Sequence, residues 1–461
     1  MSGSDGGKPA QTGLVDMGNI SFYNEPQTNA SGQPIVANQP TFTISDLSNY
    51  PGTFSEMVLN VTWAQLQPTQ GGPIDYSAID SALNTVATSG ANIGVKLRVW
   101  GGFTAPEWVK TIDGPAMTIT GKSIVDPNVV GPQTIGRWWT ADYVAQWTSL
   151  QTALANRYDS NPLVHGMSQT AGMSASDEPF VPFKTNAPTT TDPNDTSTVN
   201  QVYATQRAGF TDAAQVLTLR AAIADYADWS TTPLDYTFNP FTVLDGFVSN
   251  ANNTNEPPLN DNITLAVLQQ ARNSTRLVQA GNHTIGANFP SVTFILEQLA
   301  ADAELDPSAV AASYQTCSPK LLGDTPGNSD YANWQAAVQI GVNANAGDIE
   351  LWDYSENNGF LGLSPSQVSG LGTTLANGIA PTTGAPADGS ALAFLAPGSV
   401  SGSAGAIAFT GVGALLLEKS AASQGTYTVT LTSQGGHTLA VNDFSGIVSG
   451  PTSGSTLSLS G

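Results

Sequence analysis

Val164-His165-Gly166-Met167-Ser168-Gln169-Thr170-Ala171-Gly172, followed by Asp177-Glu178-Pro179, is the stretch on which the fold reading turns. A strand-like run stops, and two carboxylates stand just past its end, ahead of a proline that favours a turn. When parallel strands close into a barrel, the C-terminal strand ends build the active site, so a Glu in that place is a candidate acid. The competing reading is a loop carboxylate before a turn.

Working outward, short apolar runs alternate with longer segments of helical period, the signature of a parallel sheet with helices packed on it. Eight strands are expected: Leu14 to Tyr23, Met57 to Trp63, Ile93 to Trp100, Val164 to Ala171, Leu234 to Phe238, Arg276 to Ala280, Ala312 to Thr316 and Asp348 to Trp352. Between them, Tyr76, Ile79, Leu83 and Val86 recur at helical spacing, and Asp75 or Ser77 can cap their helix. Thr140 is the expected N-cap of a helix through Tyr143, Trp147, Leu150 and Leu154 to Tyr158, stopped by Asn161-Pro162. Further helices are expected over 202–226, 264–272, 291–304 and 331–344. Eightfold strand–helix alternation predicts an α/β fold, a (β/α)8 TIM barrel over residues 1–380. A doubly wound sheet is the runner-up, but no Gly-rich phosphate loop follows an early strand.

Composition changes near Ala380. Pro381-Thr382-Thr383-Gly384-Ala385-Pro386 reads as a linker, and alternating runs such as Thr426-Tyr427-Thr428-Val429-Thr430-Leu431-Thr432 follow, separated by Gly and Ser. A small all-β C-terminal domain is expected over 381–461, with a structural, secretion-related or weak binding role.

The chain has 461 residues, 40% hydrophobic and only 11% charged, with a net charge of −22. That charge repels phosphate backbones, so no nucleic-acid partner is expected. Apolar runs are too short to span a bilayer, so no membrane partner is expected either. Cys317 is the only cysteine, which removes an intramolecular disulfide and argues against a thiolate metal site. His165, His283 and His437 are scattered, and Asp192 and Asp195 form no specific calcium pattern, so no metal or other cofactor is expected. The first residues lack the apolar core of a signal peptide. An acidic, cysteine-poor chain rich in Gly, Ser, Thr and Asn fits an exported bacterial protein, so an extracellular, monomeric protein without a cleaved signal peptide is the expectation.

Three stretches resemble the retaining glycoside hydrolases of clan A, a superfamily of (β/α)8 barrels. The first is Val61-Thr62-Trp63-Ala64-Gln65-Leu66-Gln67-Pro68 with Gly71, Asp75-Tyr76 and Ile79-Asp80. The second is Leu97-Arg98-Val99-Trp100-Gly101-Gly102 with Ala105-Pro106-Glu107-Trp108-Val109. The third is Ala153-Leu154-Ala155-Asn156-Arg157-Tyr158 with Asn161-Pro162, leading to Glu178-Pro179. The resemblance implies hydrolysis of a poly- or oligosaccharide by a carboxylate pair, one group protonating the leaving oxygen and the other attacking or stabilising an oxocarbenium-like centre. Glu178 matches the acid/base. The family's nucleophile stands at the end of strand seven, where this chain has Tyr314-Gln315-Thr316-Cys317. Glu350, in strand eight, is then the candidate nucleophile. Its bland alternative is a barrel-interior carboxylate paired with Arg98 or Lys96. Glu297, in a helix-period run, and Asp353 are weaker alternatives. Asp177 replaces the Asn that the family pairs with its acid.

Aromatics at strand ends suit sugar stacking, so Trp63, Trp100, Trp352 and Tyr354 are candidate substrate contacts, with core packing as the competing reading. Arg98, Asp177, His283 and Asn239 are candidate polar contacts, and Trp138-Trp139 with Arg137 a candidate groove rim. Several aromatics together favour endo action. A non-catalytic carbohydrate-binding or structural exoprotein on a degenerate barrel, and a transglycosylase, are the alternatives.

Overall fold

A computed structural model describes residues 7–18, 46–122, 130–171, 178, 201–247, 257–274, 276–286, 292–306, 309–325, 328–352 and 359–378, together with the backbone of 406–410, 426–432, 448–449 and 456–460. The chain divides into two units, Met1–Thr382 and Thr383–Gly461.

The first unit is a closed barrel of eight parallel strands. They are β1 (Gly13–Asp16), β2 (Phe54–Thr62), β3 (Gly94–Trp100), β6 (Val164–Ser168), β7 (Leu234–Thr237), β8 (Val278–Ile285), β9 (Ala312–Thr316) and β10 (Ala346–Leu351), with β4 (Met117–Lys122) and β5 (Val130–Ile135) forming an antiparallel hairpin in the connection after the third barrel strand. Closure is made by β1, which pairs with β10 on one side and β2 on the other. The expected strand count holds, and with it the place of the seventh strand: β9 is followed in the barrel by β10. The sixth strand differs from expectation, running on to Ile285 and so taking His283 out of a loop.

The helices are α1 (Trp63–Leu66), α2 (Ser77–Ser89), α3 (Glu107–Lys110), α4 (Ala141–Tyr158), α5 (Gln201–Arg207), α6 (Asp212–Ala221), α7 (Asp261–Arg272), α8 (Thr293–Leu305), α9 (Tyr331–Asn343) and α10 (Pro365–Gly378). Thr140 is the N-cap residue of α4, but its hydroxyl bonds the Asp113 carboxylate, and Asp113 accepts the Tyr143 N–H at 3.2 Å. A neighbouring segment thus does the capping. The helix expected over 202–226 breaks at Gly209, whose φ of +91° ends α5; Thr211 then accepts the Ala214 N–H at 3.2 Å and starts α6. Among the described residues, no helix is long and apolar enough to cross a membrane.

A strand of a parallel barrel has two buried faces. The outward face here is apolar: Val95, Leu97 and Val99 of β3, Tyr314 of β9, and Ile349 and Leu351 of β10 are buried. Burying side chains of this size stabilises the fold by roughly 1.5–3 kcal/mol each. The inward face is polar, which is where the site lies. The N-terminal end of the barrel is plugged by residues 7–12. Gln11 donates its N–H to Gln279 Oε1 (2.6 Å), Gln279 Nε2 donates to Gln11 O (3.1 Å), and Lys8 Nζ donates to Val164 O (2.6 Å) and Thr232 Oγ1 (2.9 Å). Gly166 leaves room for this plug, since a Cβ there would fall 2.2 Å from the Gln11 amide.

In the second unit four strands, β11 (Ala406–Thr410), β12 (Thr426–Thr432), β13 (Val448–Ser449) and β14 (Thr456–Ser460), form a sheet in the order β11-β12-β14-β13. The β11–β12 pair is parallel and the other two are antiparallel.

Candidate active site

Lys96 of β3 reaches three strands that are not its neighbours, which only an inward-pointing side chain can do. Its ammonium lies 2.8 Å from Asp348 Oδ2, 3.0 Å from Glu350 Oε1, 3.0 Å from Ser313 Oγ and 3.3 Å from Asp235 Oδ2. Two residues on, Arg98 Nη2 bridges both oxygens of Glu350 at 2.6 and 2.7 Å, and Arg98 Nε donates to Ser168 Oγ at 3.3 Å. Gln315 of β9 donates to Glu350 Oε2 at 2.8 Å. The period of two places these pairs: residues 96 and 98, 313 and 315, and 348 and 350 point to the barrel axis. Lys96, Arg98, Asp348 and Glu350 are completely buried.

Burial of unpaired charge costs several kcal/mol per ion, so such a cluster persists only when its members satisfy one another. Their titration follows. Burial opposes the charge on Lys96, but Asp235, Asp348, Glu350 and Glu56 outweigh it and hold the ammonium charged well above the ordinary lysine range. Lys96 is therefore no free amine for Schiff-base chemistry. Burial alone would raise the Glu350 carboxyl; Arg98, Lys96 and His283 reverse this and hold it far below the usual carboxylate range. Asp348 goes the other way. Burial, with Asp235 and Glu56, pushes it up to about 7 against the pull of Lys96. Adjacent inward carboxylates of one strand are thus pushed in opposite directions, the kind of divergence that marks acid–base sites.

His283 lies inside β8, with Nε2 2.7 Å from Thr237 Oγ1 and 4.0 Å from Asp235 Oδ2. It is buried, so it belongs to the barrel interior and not to a mouth loop as expected. Asp235, His283 and Glu350 bring ligand-type atoms within 4.8 Å of one another. The Lys96 ammonium already supplies a cation to two of these carboxylates, so these residues do not fit a divalent metal ion, which Lys96 and Arg98 would repel.

The other expected site residues separate into three groups. Trp63 is fully buried, its ring edge-on to Trp108, Tyr143 and Trp147 at 5.1–6.1 Å. Trp100 is 2% exposed, and its Nε1 donates to Asn60 Oδ1 at 2.8 Å. Both rings are buried, Trp63 in the hydrophobic core and Trp100 on the inward side of β3 with Lys96 and Arg98, so the packing reading holds for Trp63 and endo action loses one of the four aromatics on which it rested. Trp352 is half-buried at the end of the eighth strand, donating Nε1–H to Thr316 O at 2.8 Å. Asn239 is half-buried beyond β7 and its carbonyl accepts from Thr264 Oγ1 at 3.0 Å. Glu178 is half-buried, beyond the end of the fourth strand. Asp177, Asp353 and Tyr354 lie outside the described residues. Glu297 is exposed on α8, as a solvated helix residue would be.

Lys96, Asp235, Gln315 and Asp348 were not singled out as site residues from the sequence. The available signal was charge inside strand-like runs, since Asp and Lys are almost never fully buried unless paired. A separate shallow crevice lies where the third and fourth strands end; Gly101, Trp138, Tyr143, Trp147, Thr170 and Asp225 line it. Burial pushes the Asp225 carboxyl up to about 6, against a hydrogen bond from Thr148.

The strand order defines a (β/α)8-barrel protein. Among solved structures, the chain is similar to endo-glycoceramidase II from Rhodococcus sp. as its lactosyl-enzyme intermediate (13% identity, TM-score 0.40, covering 79% of each chain). It is similar as well to the catalytic domain of beta-amylase from Paenibacillus polymyxa (12%, TM-score 0.44, 81% of this chain and 100% of that one) and to the catalytic domain of the major endoglucanase from Xanthomonas campestris pv. campestris (15%, TM-score 0.40, 81% and 96%). No family model and no curated protein matches the chain. At such identities and scores these likenesses carry no functional weight; the strand order establishes the fold, and the side chains of this chain define the site.

Proposed function

We propose that the chain is a glycoside hydrolase acting on a poly- or oligosaccharide, with Glu178 as acid/base and Glu350 as the carboxylate that attacks or stabilises the anomeric carbon. The observation that carries this reading is Glu350 itself: a carboxylate one residue before the C-terminal end of the eighth strand, on the side where barrel active sites form, held ionised by Arg98 and Lys96 with Gln315 on its second oxygen. An ionised, held carboxylate is what an oxocarbenium-like transition state requires, and a half-buried Glu beyond the fourth strand supplies the proton to the leaving oxygen. Gln315 occupies the strand-seven position where the resemblance expects a nucleophile; it cannot attack, but it donates a hydrogen bond to the carboxylate on the next strand.

The complete burial of Glu350 also supports a second reading, in which the cluster holds the barrel together and the protein binds sugar without cleaving it. Release of reducing sugar by the wild type, Glu178→Gln and Glu350→Gln on neutral and acidic polysaccharides separates the two. The hydrolase reading expects wild-type turnover and a fall of roughly 10²-fold or more for Glu178→Gln. Sugar binding with no product from the wild type sinks it in favour of the binder. Products released only as terminal units from the start exclude endo action, and extracellular location is tested by assaying culture medium against cell lysate of the source.

A further inference from the structure

Four hydrogen bonds converge on the Glu350 carboxylate: Arg98 on each oxygen, Lys96 on Oε1 and Gln315 on Oε2. Each carboxylate oxygen thus accepts two of them, which fixes its plane. Lys96 is in the converse position. Its three N–H groups face four oxygens, from Asp235, Ser313, Asp348 and Glu350. Ser313 also donates to Asp348 Oδ2 at 2.9 Å, and Gln279 Nε2 donates to Asp348 Oδ1 at 3.2 Å, so the Asp348 end of the arrangement is anchored on two further strands.

We propose that Lys96 is a positioning residue for Glu350: anchored on Asp348 and Ser313, its ammonium fixes Oε1 and keeps the carboxylate charged and in one orientation beside Arg98. This rests on the hydrolase reading for its catalytic consequence, and on the barrel geometry alone for its electrostatic one. The charged groups acting on Glu350 are Arg98 and Lys96 from β3 and His283 from β8, with Gln315 of β9 bonded to it and Asp235 of β7 nearby; Asp235, Asp348 and Glu56 act on Lys96, and Glu56 acts on Asp348 as well. Of the two strong cations, Arg98 spans both oxygens and would remain when Lys96 is removed, so the effect of Lys96 is separable.

The test is an infrared titration of the carboxylate bands, with Glu350→Gln used to assign the Glu350 contribution, run on the wild type, Lys96→Met, Lys96→Arg and the charge-balanced pair Lys96→Met with Asp348→Asn. In the wild type Glu350 stays ionised down to acid unfolding. In Lys96→Met its protonation moves up by about one to three pH units, the scale of losing an opposite charge within ~4–6 Å, and enters the folded range. Lys96→Arg keeps the wild-type behaviour. On a substrate that the wild type turns over, kcat/KM gains the same acid limb, with kcat and not KM carrying the loss. If Lys96→Met fails to fold, the charge-balanced pair gives the same reading. A folded variant in which Glu350 remains ionised to its unfolding limit overturns the proposal. A wild type inactive on every substrate, with the infrared shift present, overturns the hydrolase reading and leaves the electrostatic role of Lys96 standing.

Discussion

The two faces of the same barrel strands use opposite means to fill buried space. Outward, Val95, Leu97 and Val99 pack as any parallel strand does, and each contributes by leaving water. Inward, Lys96 and Arg98, one residue away in each case, are equally buried but contribute only through their partners. The apolar face tolerates loss of a side chain locally. On the charged face, loss of one partner strands the others. The inner face is specified by pairing and the outer face by volume.

The comparison breaks most visibly at Glu350. Glu350→Ala leaves Arg98 and Lys96 without their shared carboxylate and is expected to cost about 3–5 kcal/mol, whereas Arg98→Met combined with Glu350→Gln costs less than the single change. Calorimetric unfolding of the three proteins checks the order. On the outer face, Leu97→Ala is expected to cost about 2–5 kcal/mol, by lost transfer energy plus a cavity, with no dependence on pH.

The charged face should respond to pH in two directions. The Asp348 carboxyl is raised from 3.8 to about 7 in the folded chain, so the folded state binds more protons than the unfolded one between those values. Stability from this group therefore falls as pH rises from about 4 to about 7, by at most roughly 1.4 kcal/mol per pH unit. Glu350 is depressed, so its contribution is present above the unfolded value of 4.5 and is lost as pH falls below it. The joint contribution of these two groups therefore peaks near pH 4, between their unfolded values of 3.8 and 4.5, and Asp348→Asn should flatten the decline above it; melting temperature against pH is the measurement. The smallest effect is expected outside the barrel, where Arg157 Nη2 meets Asp80 Oδ2 at 2.6 Å with both side chains nearly half exposed. Asp80→Ala there should change stability by about 0.2–1 kcal/mol and less at high salt, a contrast with the interior pairs that a salt series on both variants would show.

Much of this was legible in the chain. Ala312 to Thr316 was readable as a strand because it is short and bounded, and its place as the seventh strand followed from counting apolar runs. Arg98 and Lys96 were nameable as partners for Glu350 because charge inside a strand demands an opposite charge. His283 was misplaced because Gly281-Asn282 reads as a turn, while in the barrel Gly281 is needed for close approach: a Cβ there would fall 1.6 Å from Ser313 O. Trp63 reads as a mouth residue from the sequence because strand-end position does not say which way a ring points, and the rings of Trp108, Tyr143 and Trp147 that enclose it come from distant segments.

The alternation of strands and helices, and hence the barrel, is written in the chain, because period and apolar run length are local properties. That buried charges would have to pair is written there as well. Which charges meet depends on barrel closure: pairing of β1 with both β10 and β2 brings strands three, five, seven and eight around one axis, so that a single ammonium touches Asp235, Ser313, Asp348 and Glu350. Those contacts join residues far apart in the chain, and Coulomb interactions at about 3 Å in a dry interior depend on that closure and on no local signal.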